Sequence, residues 1–219
     1  MKILLISSSP HKEKSSTFYL AKEVLRGVSQ GGASAETIHL ADFRVSFCRH
    51  CEACHKNILH CSIKDDAGII LKKMLEADGI ILASPNYINQ VSGSMKTLFD
   101  RCAHFIHCKR LLGKYVTGVV SSGSGQDESV LDYIEFYAHT CGAQYSGGIS
   151  SARHSIQEKS GQAFELGRRF FSDIAGKRLY PGQTELIEKG RQHFREIIKA
   201  KINEWEEEYR YWQEKGWLK

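Results

Sequence analysis

Three short apolar runs, each spilling into a polar loop, constrain this chain more than any other feature. Lys2 to Ile6, Gly79 to Ala83 and Tyr115 to Ser121 are almost unbroken apolar stretches, the pattern of strands buried on both faces. Ala35 to Leu40 alternates more loosely, as an edge strand does, and Gln144 to Ser151 is a weaker fifth run. Between them lie segments of helical spacing: Phe18 to Leu25, Asp65 to Ala77, Ser94 to His107 and Glu128 to Thr140. Ile69, Ile70, Met74 and Leu75 are expected on the apolar side of the second of these. Strands alternating with helices predict a parallel sheet joined by right-handed crossovers, an α/β fold. The chain's 219 residues suffice for one such domain with a full core and an appendage.

In a parallel sheet, ligands bind beyond the carboxyl ends of the strands. Three loops occupy that position: Ser7 to Thr17, Ser84 to Asn89 and Ser121 to Gln126, all polar and rich in Ser with Gly, Pro or Asn. The first runs into a helix for which Ser15 or Ser16 is the expected N-cap. Free amides and the positive end of a helix dipole favour an anion there. The loop has neither the G-x-G-x-x-G of dinucleotide folds nor the G-K-[ST] of a P-loop. Its hydroxyls suit a terminal phosphomonoester, as in a mononucleotide such as FMN. An ordinary turn with solvated Ser and Lys is the alternative reading.

Four of the seven cysteines crowd one loop as Cys48-x2-Cys51-x2-Cys54-x6-Cys61. Successive x2 steps can wrap three corners of a cubane, with a more distant cysteine as the fourth, so the spacing suits a [4Fe–4S] cluster. Zinc takes four thiolates too, or three with one of His50, His55 and His60, and free thiols are the third reading. Arg49, His50, His55 and Lys56 would offset the charge of a cluster or form a solvated basic face. Cys102, Cys108 and Cys141 fall on helices and read as small buried apolar residues.

From Ile156 onward the pattern becomes helical, with helices expected over Gln162 to Arg178 and Glu185 to Lys215 either side of Tyr180-Pro181-Gly182. Phe194, Ile198, Ile202, Trp205, Tyr209 and Trp212 form a narrow seam that docks on the chain's own domain or on a second copy. Thirty Lys and Arg against 25 Asp and Glu leave a net charge of +5, and their scatter gives no support for nucleic-acid binding. No apolar run approaches the roughly 20 residues of a membrane span, and the start does not read as a signal peptide. A cytoplasmic protein is the expectation, with its thiols reduced or ligated.

Taken together, Ser9-Pro10-His11-Lys12 with Ser16-Thr17, the cysteine run ending in Cys61-Ser62-Ile63-Lys64-Asp65-Asp66, Ser84-Pro85-Asn86-Tyr87 and Lys96-Thr97-Leu98-Phe99-Asp100-Arg101 resemble the iron–sulfur flavoproteins of the NADPH-dependent FMN reductase family. The resemblance covers Met1 to Ser151. It implies a flavodoxin-like three-layer sandwich with a five-stranded parallel sheet in the order 2-1-3-4-5, followed by a C-terminal helical extension. Residues 1–155 would be the FMN-binding domain, 43–64 its cysteine-rich insertion, and 156–219 the extension, used for docking or oligomerisation. Ser9, His11, Ser16 and Thr17, helped by Lys12 or Lys14, would hold the FMN phosphate. Pro85, Asn86, Tyr87 and Ile88 would line the ring, Ser122, Gly123 and Ser124 would flank it, and Tyr87 would stack or gate. Cys48, Cys51, Cys54 and Cys61 would bind the cluster. The family usually has Gly before the first Ser and Arg where His11 stands. The implied activity is an NAD(P)H-dependent flavin oxidoreductase passing electrons to a cluster or to a flavin- or quinone-type acceptor, as a homodimer or homotetramer. An electron carrier or redox sensor without turnover and a zinc-stabilised interaction domain are the other readings.

Overall fold

The computed structural model describes all 219 residues. Five strands, β1 (Lys2–Ser7), β2 (Ser34–His39), β3 (Gly79–Pro85), β4 (Tyr115–Ser122) and β5 (Gln144–Ala152), form one sheet in the order β2-β1-β3-β4-β5, every pair parallel. The helices are α1 (Ser16–Gln30), α2 (Ala53–Lys56), α3 (Ala67–Glu76), α4 (Gly93–Asp100), α5 (Ala103–His107), α6 (Glu128–Cys141), α7 (Ser160–Ala175), α8 (Pro181–Ala200) and α9 (Glu206–Glu214). This is the flavodoxin-like order, with its switch point between β1 and β3.

Successive residues of β1 feed opposite layers. Ile3 and Leu5 pack with Phe18, Val24, Ala163 and Phe170 of α1 and α7, whereas Leu4 and Ile6 pack with Ile70, Met74, Met95 and Leu98 of α3 and α4. Both faces of the central strands are therefore covered, which is why they read as unbroken apolar runs. The α1 and α7 backbones meet closely at Gly27 and Gly167. A Cβ on Gly27 would lie 2.1 Å from the Phe164 carbonyl oxygen, and one on Gly167 2.0 Å from that of Val24. Thus α7 completes a layer of the sandwich, and α8 and α9 are the helices that lie outside it.

One helix face and two helix boundaries depart from the periodicity. The α3 face is Ala67, Ile70, Leu71 and Met74, with Ile69 about half exposed. The helix expected over 94–107 is two, α4 and α5, because the chain breaks at Arg101 and Cys102 to turn the Arg101 guanidinium onto Asp65. The helix expected over 185–215 also breaks, between Ala200 and Glu206. There Trp205 drops onto the imidazoles of His55 and His107, with ring centroids 4.5 and 4.7 Å away. Of the seam, Ile198, Trp205 and Trp212 are buried within the chain around Cys108, and Ile202 faces solvent. Cys102, Cys108 and Cys141 are buried, as their apolar surroundings in the sequence imply. No helix is long and apolar enough to cross a membrane.

Candidate functional site: a strand-tip cavity and a cysteine cavity

The three loops beyond β1, β3 and β4 meet in one cavity of about 430 Å³ lined by Ser9, His11, Lys14 to Thr17, Pro85 to Tyr87, Ser121 to Gly123 and Arg153. Ser15 caps α1, its hydroxyl accepting from the Phe18 amide at 3.4 Å. The amides of Ser16 and Thr17 have no acceptor within the chain, so the positive end of α1 opens into the cavity. The hydroxyls of Thr17 and Ser121 lie 2.6 Å apart, which ties the first loop to the third. Ser9 is buried, and its hydroxyl accepts from the His11 amide at 3.3 Å.

On the opposite wall, Asn86 donates its amide to the Gln126 carbonyl and to Asp127 at 2.8 and 3.0 Å. That leaves Asn86 Oδ1 and Asp127 Oδ2 buried without a partner. A buried acceptor without a donor is costly, and one in a cavity wall is available to a ligand N–H. Backbone bonds in both directions between Tyr87 and Gln90 pinch the second loop into a tight turn. Ile88 and Asn89 sit at its tip with φ of +53° and +56°.

Several residues expected here lie elsewhere. Lys12 forms an ion pair with Asp42, away from the cavity, and Lys14 lines it instead. Ile88 is fully exposed at its turn tip, and Ser124 is an exposed loop residue outside the lining. Arg153 was missed because it follows β5, whose weak apolar pattern gave no reason to count a fourth loop.

The second cavity, about 50 Å³, is lined by all four clustered cysteines, with Arg49, His50, His55 and Arg101 in the same wall. Left-handed backbone at His50 and Glu52 (φ +48° and +57°) curls the loop around its own sulfurs. The His50 amide points to Cys48 Sγ at 3.4 Å and the Ile63 amide to Cys61 Sγ at 3.5 Å. Arg101 donates to Cys61 Sγ at 3.1 Å and pairs with Asp65 at 2.7 Å, both side chains being almost wholly buried. Burial pushes the Asp65 carboxyl up, but the Arg101 guanidinium and the Ser46 and Ala67 amides outweigh it and hold it down at about 2. The Ser62 hydroxyl beside Cys51 lowers that thiol, whereas burial, with Glu208 nearby, pushes Cys54 up to about 12.

The C-terminal segment closes this loop residue by residue. Trp205 Nε1 donates to Glu52 at 3.0 Å, Lys56 pairs with Glu206 at 3.4 Å, and the Ile58 amide donates to Glu207. Glu208, fully buried, bridges His55 Nδ1 at 2.6 Å and His107 Nδ1 at 3.0 Å. Burial works against the Glu208 charge, but the two imidazoles hold its carboxyl below the usual range.

The chain has relatives. It is 27% identical over 224 residues to an iron-sulfur flavoprotein of Archaeoglobus fulgidus, covering all of both chains. It is 42% identical over 101 residues to another iron-sulfur flavoprotein of that organism, a match spanning 46% of this chain and about half, 48%, of the relative. Among solved structures it resembles a flavone reductase with a TM-score of 0.66 at 20% identity, covering 80% of this chain and 63% of the other, a likeness of fold. Residues 1–157, which carry the sheet and all three strand-tip loops, match the NADPH-dependent FMN reductase family. The chain therefore belongs to the NADPH-dependent FMN reductase family of flavin oxidoreductases.

Proposed function

We propose that the strand-tip cavity holds FMN, that Cys48, Cys51, Cys54 and Cys61 hold a [4Fe–4S] cluster, and that the protein passes electrons from NAD(P)H to that cluster or to a flavin- or quinone-type acceptor. The observation that carries the flavin part is the convergence of three separate loops on the free amides of Ser16 and Thr17. These amides, the hydroxyls of Ser9, Ser16 and Thr17, and the cations Lys14 and Arg153 suit a phosphate dianion. His11 lies in the same lining and adds a further donor. Pro85, Asn86 and Tyr87 form one wall for the ring and Ser122 with Gly123 the other. The orphaned Asn86 Oδ1 offers an acceptor to a flavin ring N–H. When bound, FMN supplies the hydride and single-electron chemistry, and the protein supplies position and electrostatics.

The sulfur spacing favours a cubane over zinc. Zinc–sulfur bonds of about 2.3 Å would set tetrahedral sulfurs about 3.8 Å apart. No three of these four sulfurs lie within 4.8 Å of one another, although all four line one cavity. A larger group with separated corners suits that donor set. The amides on Cys48 and Cys61 and the Arg101 guanidinium would stabilise its negative charge. On this reading residues 1–155, completed by α7, form the FMN-binding unit with 43–64 as its cysteine-rich insertion, and Trp205 with α9 serves to close the cysteine loop. Anaerobic mixing of FMN-loaded protein with NADPH tests the activity: the yellow flavin absorbance is expected to bleach, and its persistence in excess NADPH and NADH would contradict the proposal.

A further inference from the structure

His104, on α5, is buried to 1% exposure, and neither of its ring nitrogens has a hydrogen-bond partner. Its neighbours differ: His55 and His107 each spend Nδ1 on Glu208, which fixes their rings. Burial, reinforced by the Arg110 charge, pushes His104 down to about 4, so the ring is neutral and carries one N–H donor and one bare acceptor nitrogen. An orphaned imidazole in a core is expensive, and an apolar residue of similar size would remove the cost. What distinguishes its position is the wall it belongs to. His104 lines the cysteine cavity together with Cys48, Cys51, Cys54 and Cys61.

The donors around the four sulfurs are unevenly shared. Cys48 receives the His50 amide, Cys51 faces the Ser62 hydroxyl, and Cys61 receives both the Ile63 amide and Arg101. Cys54 has no donor from another residue. The lining of the cavity thus includes a sulfur lacking a donor and a buried donor lacking an acceptor.

We propose that His104 donates its N–H to a sulfur of the [4Fe–4S] cluster and thereby raises the cluster's reduction potential. The inference rests on the cluster reading above. A hydrogen bond to a cluster sulfur stabilises the reduced form, which carries one more negative charge, more than the oxidised form. His104 is on this account a tuning residue and not a ligand, so cluster assembly does not depend on it.

The test compares His104→Leu and His104→Gln in anaerobically purified protein by EPR-monitored potentiometric titration, with iron, acid-labile sulfide and FMN assayed beside it. His104→Leu should keep its iron, sulfide and FMN while its cluster becomes at least tenfold harder to reduce, about 59 mV for one electron. His104→Gln retains an N–H donor and should recover most of that loss. The FMN potential should not move in either variant. An unchanged cluster potential in His104→Leu would overturn the proposal. So would equal shifts in both variants, which would mark a packing effect, or loss of iron from His104→Leu, which would make His104 a ligand. Where His104→Leu does not fold, His104→Phe is the donor-free variant judged by the same criteria. A wild-type protein without iron and sulfide would overturn the cluster reading itself before any variant is made.

Discussion

The strand-tip cavity and the cysteine cavity are built on opposite principles. The first is assembled by short connections: each loop leaves a buried strand and enters a helix within a few residues, and the sheet brings the three tips together. The second is assembled by distance. Its loop hangs from β2, is pinned by Arg101 from α4's end, and is closed by Trp205 to Glu208, some 150 residues away in sequence. The strand-tip cavity therefore inherits the rigidity of the sheet. The cysteine cavity depends on a buried ion pair and on the docked C-terminal helix. The comparison predicts that the two sites fail separately.

The sharpest way to break that separation is Cys54→Ser. It should abolish iron and sulfide incorporation while FMN is retained at wild-type stoichiometry, measured by metal analysis and flavin absorbance. Joint loss of both cofactors would mean the sites are one unit. Next is Asp65→Asn, which leaves the buried Arg101 charge without its counter-ion and should cost about 3–5 kcal/mol in urea unfolding. Trp205→Ala removes the ring packed on His55 and His107 and the bond to Glu52. It should cost about 3–5 kcal/mol and expose the cysteine loop to proteolysis, with FMN affinity unchanged. In the strand-tip cavity, Thr17→Ala removes a hydroxyl bonded to Ser121, and FMN binding should weaken by about 1–3 kcal/mol in a fluorescence titration while iron content stays constant. The smallest effect is expected for Lys12→Ala. Its exposed pair with Asp42 is worth about 0–1 kcal/mol, and FMN affinity should not change because Lys14 and Arg153 supply the cavity's cations.

The same contrast explains what the sequence made legible. Unbroken runs such as Gly79 to Ala83 announce a central parallel strand because both of its faces are buried, so the parallel sheet and its three cavity loops are legible in period and punctuation, whereas the strand order 2-1-3-4-5 follows from the family resemblance. The residues that the family resemblance implies, Ser9, His11, Ser16, Thr17, Pro85, Asn86, Tyr87, Ser122 and Gly123, lie in the lining, and the four clustered thiols surround one space. Periodicity failed where a distant partner overrode it. Nothing local to residues 94–107 shows that Arg101 will be drawn to Asp65, and that attraction splits the helix. Nothing near Ala200 shows that the chain will stop to seat Trp205 against a stacked pair of histidines from elsewhere in the fold. Glu208 stands in a run of three acidic residues, Glu206 to Glu208, with no local sign of a core position, yet it is fully buried because His55 and His107 meet it. Lys12 and Ile88 were misplaced for a simpler reason: a loop's composition does not say which of its side chains turn inward.

The proposed function puts two cofactor sites on one chain, one held by the sheet and one by the cysteine loop. Its most direct measurement is the cofactor stoichiometry of protein purified anaerobically: FMN by absorbance after denaturation, with iron, sulfide and zinc on the same sample. About one FMN and about four each of iron and sulfide per chain, with no zinc, is the predicted result. A chain that carries zinc in place of iron, or that takes up no FMN, would contradict it.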